Sequence, residues 1–111
     1  MIKHKEMAGG RWFKFSLIEQ LANIGLDIER TIQWRDRGNK EYSQQAFERA
    51  LELIDLTKMD PKNRHRLSEI CRTREALVDY FVYDNTYQTN DTIWKNYFYQ
   101  YNYAAARMRG R

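Results

Sequence analysis

From Arg11 onward, apolar residues recur every three or four positions: Phe13, Leu17, Leu21, Ile24, Ile28 and Ile32. That spacing follows the 3.6-residue turn of an α-helix and keeps all six on one face. Phe15, Ile18, Ala22 and Leu26 widen the stripe, which predicts a helix covered on more than one side. Gly25 stands inside the pattern. A helical glycine costs about 1 kcal/mol relative to alanine, so its use here predicts close approach of a neighbouring helix. The pattern stops at Arg37-Gly38-Asn39, because glycine readily adopts the left-handed conformation that ends a helix.

A second helix is predicted from Lys40 to Met59, with Tyr42, Ala46, Phe47, Ala50, Leu51 and Ile54 on its apolar face. Asp60-Pro61 ends it, since proline pushes the preceding residue out of helical geometry. Pro61 also suits a first helical position, so a third helix is predicted to start there. Its face carries Leu67, Ile70, Cys71, Arg74, Leu77, Val78 and Phe81. The polar run 84–90 reads as a loop, with Thr89 or Asn90 capping a fourth helix and Asp91 favourable in its first turn. That helix places Trp94, Tyr97, Phe98, Tyr101, Ala105 and Met108 in period. Four helices with short connections predict an all-α, antiparallel four-helix bundle. Residues 1–10, ending in Gly9-Gly10, are expected as a short mobile arm, and residues 11–111 as a single bundle domain. The stripes are wide enough for a second buried face in an oligomer.

Composition narrows the setting. Of 111 residues, 42% are hydrophobic and 31% charged, enough apolar material for a packed core. A lone cysteine, Cys71, rules out a disulfide within the chain and a cysteine-rich zinc site. No run approaches the roughly 20 apolar residues of a membrane span, and Met1–Glu6 lack the apolar core of a signal peptide. A cytoplasmic protein without membrane partners is the expectation.

Conventional catalytic groupings are missing from the sequence. There is no phosphate-binding loop and no glycine-rich dinucleotide loop. The two histidines, His4 and His65, do not make a metal site, and Cys71 falls on an apolar face as a small core residue. Glu48, Glu52 and Asp55 share helical spacing but lack a histidine at a fitting offset, so they read as a solvated acidic face. Trp34, Gly38, Ala50 and Ile54 loosely resemble one tetratricopeptide unit, yet no second copy appears near Ser68 and Arg72, and an ordinary helical hairpin is expected. The expectation is a non-enzyme with no metal and no cofactor.

Two features point to partners instead. The net charge is +4, and Lys58, Lys62, Arg64, Arg66, Arg72 and Arg74 outnumber Asp60 and Glu69 across residues 58–74. Lys3, Lys5, Arg11 and Lys14 enrich the beginning, and Arg107, Arg109 and Arg111 the end. If the fold brings these segments together, Lys62, Arg64, Arg66, Arg72, Arg107 and Arg109 form a phosphate-binding surface. The second feature is tyrosine: seven of eight lie between Tyr80 and Tyr103. Tyr97, Tyr99, Tyr101 and Tyr103 point all round one helix, so one buried face cannot hold them all. Half-buried tyrosines suit protein interfaces, and aromatic rings beside cations also stack on single-stranded bases.

The stretch Arg74-Glu75-Ala76-Leu77-Val78-Asp79-Tyr80-Phe81 resembles the signature near the end of HEPN-type helical domains, many of which are RNases or partners of nucleotidyltransferases. Arg74, Leu77 and Val78 fall in place, whereas Asp79 stands where that family carries histidine and Glu75 where asparagine is usual. The resemblance implies a helical bundle. The departure implies loss of cleavage chemistry, because a carboxylate cannot handle protons near neutral pH as imidazole does and adds negative charge beside a phosphate. A structural role for Arg74 is the alternative, as an ion pair with Glu19, Asp27 or Glu48 on another helix. The sequence therefore supports three readings. The foremost is a self-associating or partner-binding helical module, the second a nucleic-acid-binding accessory protein, the third a divergent HEPN-like protein.

Overall fold

In the computed structural model, which describes residues 10–110, Ser16 decides where the first helix begins. Its backbone is extended, its hydroxyl accepts from Glu19 N–H at 3.2 Å, and its own N–H donates to Glu19 Oε1 at 3.0 Å. This reciprocal cap starts helix α1 (Leu17–Asp36), six residues later than the apolar spacing predicts. Arg11–Lys14 instead form a separate 3-10 turn that buries Trp12 completely. The predicted arm, residues 1–10, lies outside the described residues except for Gly10.

Helix α1 ends as Gly38 predicts. Gly38 has φ +80°, its N–H donates to Arg35 O, and Asn39 N–H donates to Trp34 O, both at 2.9 Å. That paired C-terminal motif satisfies carbonyls the helix leaves open. Asn39 then caps helix α2 (Lys40–Met59) through Tyr42 N–H, so a single short turn closes the first hairpin. Asp60 ends α2 in extended geometry. The next segment differs from expectation: Pro61–Arg66 are 3-10, and helix α3 (Leu67–Phe81) starts only after them. The segment Lys62–Arg66 has no apolar side chain to bury, while buried Asn63 donates inward to Thr57 O and Gln20 Oε1. Helix α4 (Asp91–Arg109) is capped by Asn90, whose side chain accepts from Ile93 N–H.

Cross-helix contacts fix the topology. Trp12 Nε1–H donates to Thr57 Oγ1 at one end and Ser43 Oγ–H to Thr31 O at the other, so α1 and α2 are antiparallel. Asp55–Arg74 and Phe47–Phe81 pair α2 with α3 in the same sense. Arg35–Asp91 and the Gly25–Phe98 contact do so for α1 and α4. Glu69–Tyr101 and Tyr80–Asp91 close α4 back onto α3. The result is an antiparallel four-helix bundle around Leu21, Ile24, Ile28, Ile32, Phe47, Ile54, Leu77, Trp94 and Phe98. Of the residues expected to widen the first stripe, Ala22 is buried, Phe15 and Ile18 are half-buried, and Leu26 is exposed.

The two ends are held differently. At the base, where α1 begins and α2 ends, Gln20, Thr57, Asp60 and Asn63 are all buried and bonded to one another or to nearby backbone. Buried polar atoms cost stability unless paired, and here they knit both 3-10 turns to the bundle. At the tip, Asp91 accepts from Arg35 at 3.0 and 2.5 Å and from Tyr80 at 2.5 Å. No helix among the described residues is long and apolar enough to cross a membrane.

Candidate nucleic-acid interface

Antiparallel topology puts the start of α1, the end of α2, the Pro61–Arg66 turn and the end of α4 at the base of the bundle. Cations distant in sequence therefore share that end: Lys14, Lys58, Lys62, Arg64, Arg66, Arg107 and Arg109. Direct bonds tie the segments together. Lys62 Nζ donates to Phe13 O at 3.0 Å, and Arg66 Nη2 reaches Tyr101 Oη at 3.4 Å. The carboxylates of this end are already occupied. Glu19 belongs to the Ser16 cap, Asp60 bonds Lys62 and Gln20, Glu69 bonds Arg66, and Asp55 bonds Arg74. The tip carries Asp36, Glu41, Asp84 and Asp91 among its cations, so the bundle is polarised, basic at the base.

The six cations singled out by sequence are not equivalent. Lys62 is drawn onto buried Asp60, where burial pushes the carboxyl up but bonds from Lys62 and Gln20 outweigh it and hold it below its usual range. Arg66 makes a two-point contact with Glu69 at 3.0 and 2.9 Å, which depresses the Glu69 carboxyl despite partial burial. These two cations are engaged by carboxylates within the fold. Arg64, Arg72 and Arg109 are exposed and make no ion pair with another described residue. Arg107 lies over the Tyr103 ring, its guanidinium 5.8 Å from the centroid.

The four interface tyrosines also divide. Tyr97 and Tyr101 turn toward α3. Tyr97 Oη lies 3.2 Å from Thr73 Oγ1 and donates to Glu69 at 3.3 Å, and Tyr101 Oη reaches Glu69 at 3.5 Å. Burial pushes the Tyr97 hydroxyl pKa upward. These two close the α3–α4 seam within the chain and are not outward contacts. Tyr99 and Tyr103 do face outward, stacked at 6.2 Å with 26° between their planes. Lys95, four residues before Tyr99, lies in the same row, a member the sequence reading missed although i, i+4 spacing would have revealed it. Between Tyr99 and α1 runs a groove lined by Leu26, Glu29, Lys95, Phe98 and Asn102.

Arg74, the first residue of the HEPN-like stretch, pairs with Asp55 of α2 at 2.9 Å and not with Glu19, Asp27 or Glu48. Asp79 spends both oxygens on backbone, accepting from Thr86 N–H at 2.8 Å and Tyr87 N–H at 3.0 Å. Cys71 is half-buried. Among the described residues no group of three His, Cys, Asp or Glu side chains is placed to hold a metal ion. Comparison with known protein families, curated proteins and solved structures finds no match for this chain.

Proposed function

We propose that this protein is a non-enzymatic nucleic-acid-binding protein that engages the phosphate backbone through the base of its bundle. The observation that carries this reading is the gathering of cations from four separate segments at one end whose carboxylates are internally paired. Exposed Arg64 and Arg109 at this end, with exposed Arg72 further along α3, keep their charge available to phosphates, and each phosphate neutralised releases counterions. The engagement of Arg74 with Asp55 and of Asp79 with loop backbone supports binding without cleavage. Titration of a labelled RNA or DNA oligonucleotide at low and moderate salt tests the reading. Binding that weakens steeply with salt supports it, and no binding at low salt removes it.

A second reading, self-association, draws on the groove between α1 and α4, where exposed Leu26 flanks Tyr99. Light scattering decides it: a mass of 13.5 kDa is a monomer, and about twice that at micromolar concentration is a dimer.

A further inference from the structure

Helix α4 combines three properties along one exposed row. Lys95, Tyr99, Tyr103 and Arg107 follow one another at four-residue steps, so successive side chains lie one helical turn apart, and the row runs for about 18 Å. Tyr99 and Tyr103 are 65% and 52% exposed although they are large aromatic groups, and each ring leans on the other. Arg107 also lies over the Tyr103 ring, so the row's contacts come from within the helix itself. Beyond Asp91 the helix has no carboxylate at all, and exposed amides of Asn96, Gln100 and Asn102 flank the rings.

We propose that this row is a stacking platform for single-stranded nucleic acid, with bases on the Tyr99 and Tyr103 rings and phosphates drawn to Lys95 and Arg107. The proposal rests on the nucleic-acid reading above and assigns the strand type and the residues that receive it. Aromatic faces accept any base, cations at either end attract the backbone, and neighbouring amides can bond base edges. A row of about 18 Å corresponds to about five stacked nucleotides at roughly 3.4 Å each. Charge complementarity favours a nucleic-acid strand, since the ring pair is bordered by cations and exposed amides with no carboxylate of its own helix beyond Asp91. The row ends at Arg107, one of the cations gathered at the basic base of the bundle. The opposing group is Glu29 of α1, a carboxylate lining the groove beside Lys95 and Tyr99. It repels a phosphate placed there.

Fluorescence anisotropy with labelled oligouridylate of about twelve nucleotides, beside a hairpin duplex RNA, tests the assignment. Tyr99→Ala and Tyr103→Ala should each weaken oligouridylate binding roughly 5- to 150-fold while changing duplex binding little. Tyr99→Phe and Tyr103→Phe should restore it, because stacking needs the ring and not the hydroxyl. Glu29→Gln should tighten binding, a gain that damage to the fold cannot imitate. Circular dichroism on each variant confirms the helical fold. If wild-type protein binds both probes and the alanine variants bind oligouridylate as well as wild type, the platform is wrong and the nucleic-acid reading stands. If wild type binds neither probe, both fall.

Discussion

Phe98 fills the space that a side chain at residue 25 would need: a Cβ on Gly25 would stand 2.6 Å from the Cβ of Phe98. Both atoms are anchored directly to helix backbone, so relief requires α1 and α4 to separate. Gly25→Ala would gain about 1 kcal/mol of helix propensity but incur about 1–3 kcal/mol of overpacking. The expected result is a net loss of stability and a melting temperature lower by several degrees, read by thermal circular dichroism. An unchanged or higher melting temperature would show that the α1–α4 contact yields at no cost.

Trp12 and Thr57 define the second prediction. The buried indole N–H donates to Thr57 Oγ1 at 3.0 Å across 45 residues of sequence. Thr57→Val keeps the shape but leaves that N–H without an acceptor, at an expected cost of about 1–3 kcal/mol. In a Trp12→Phe background the same change should cost less, because no donor is stranded. A double-mutant cycle by urea denaturation measures the difference, and equal costs in both backgrounds would deny the bond any net role.

Much of the architecture was legible in sequence because it follows local rules. Gly38 and Asn90 act where their chemistry predicts, and Gly25 permits the close helix contact its cost implied. What sequence did not show depends on distant partners. Trp12 precedes the periodic segment, and its burial is set by Thr57 and the facing helices, so Phe13 looked like the core residue instead. Pro61 does begin a helical segment, but Asn63 is pulled inward by Gln20 and Thr57, and the turn stays 3-10. For the candidate site, composition pointed to cations and tyrosines without separating those that build the fold from those that face outward. That division is made by Glu69 and Asp60, whose pairs with Arg66 and Lys62 are local in sequence, whereas the Glu69 contacts with Tyr97 and Tyr101 and the burial of Asp60 arise only in the fold.

Stability should be flat across neutral pH and fall at both extremes. Bonds from Arg35 hold the Asp91 carboxyl below its usual range, and bonds from Arg66 do so for Glu69. A depressed carboxylate contributes stability above its unfolded pKa, about 4, and loses it as pH falls from there through the folded value. On the alkaline side, burial raises the Tyr97 and Tyr80 hydroxyls. Their contribution is complete below about pH 10, the unfolded tyrosine value, and is lost as pH climbs toward the folded one. Melting temperatures from pH 2 upward check this, and Asp91→Asn should flatten the acid limb. A stability that peaks sharply near neutrality would contradict these assignments.

Asp79 supplies a separate test, because its carboxylate latches the loop after α3. It accepts two backbone N–H groups, from Thr86 and Tyr87, and Asn85 adopts a left-handed φ of 55° in that loop. Asp79→Ala should speed amide exchange at Thr86 and Tyr87 and cost about 1–3 kcal/mol. Asp79→His, which restores the histidine of the HEPN-like pattern, should loosen the same loop and yield no RNA cleavage, since Arg74 stays paired with Asp55. Cleavage by the Asp79→His protein that disappears on Arg74→Ala would revive a catalytic reading of the stretch.

The division between exposed and internally paired cations predicts two kinds of arginine variant. Arg64, Arg72 and Arg109 are exposed and carry no structural ion pair with another described residue, so replacing one by alanine should leave the melting temperature nearly unchanged. If that arginine touches a phosphate of a single strand, the slope of log affinity against log salt should become shallower by about 0.7. Arg66→Ala should behave in the opposite way. It strands Glu69 beside Tyr97 and Tyr101, loosens the α3–α4 seam and lowers the melting temperature. Affinity measured between about 50 and 200 mM salt, paired with thermal melts, separates the classes. If Arg66→Ala matches the others in both measurements, the seam does not depend on the Arg66–Glu69 pair and the division fails.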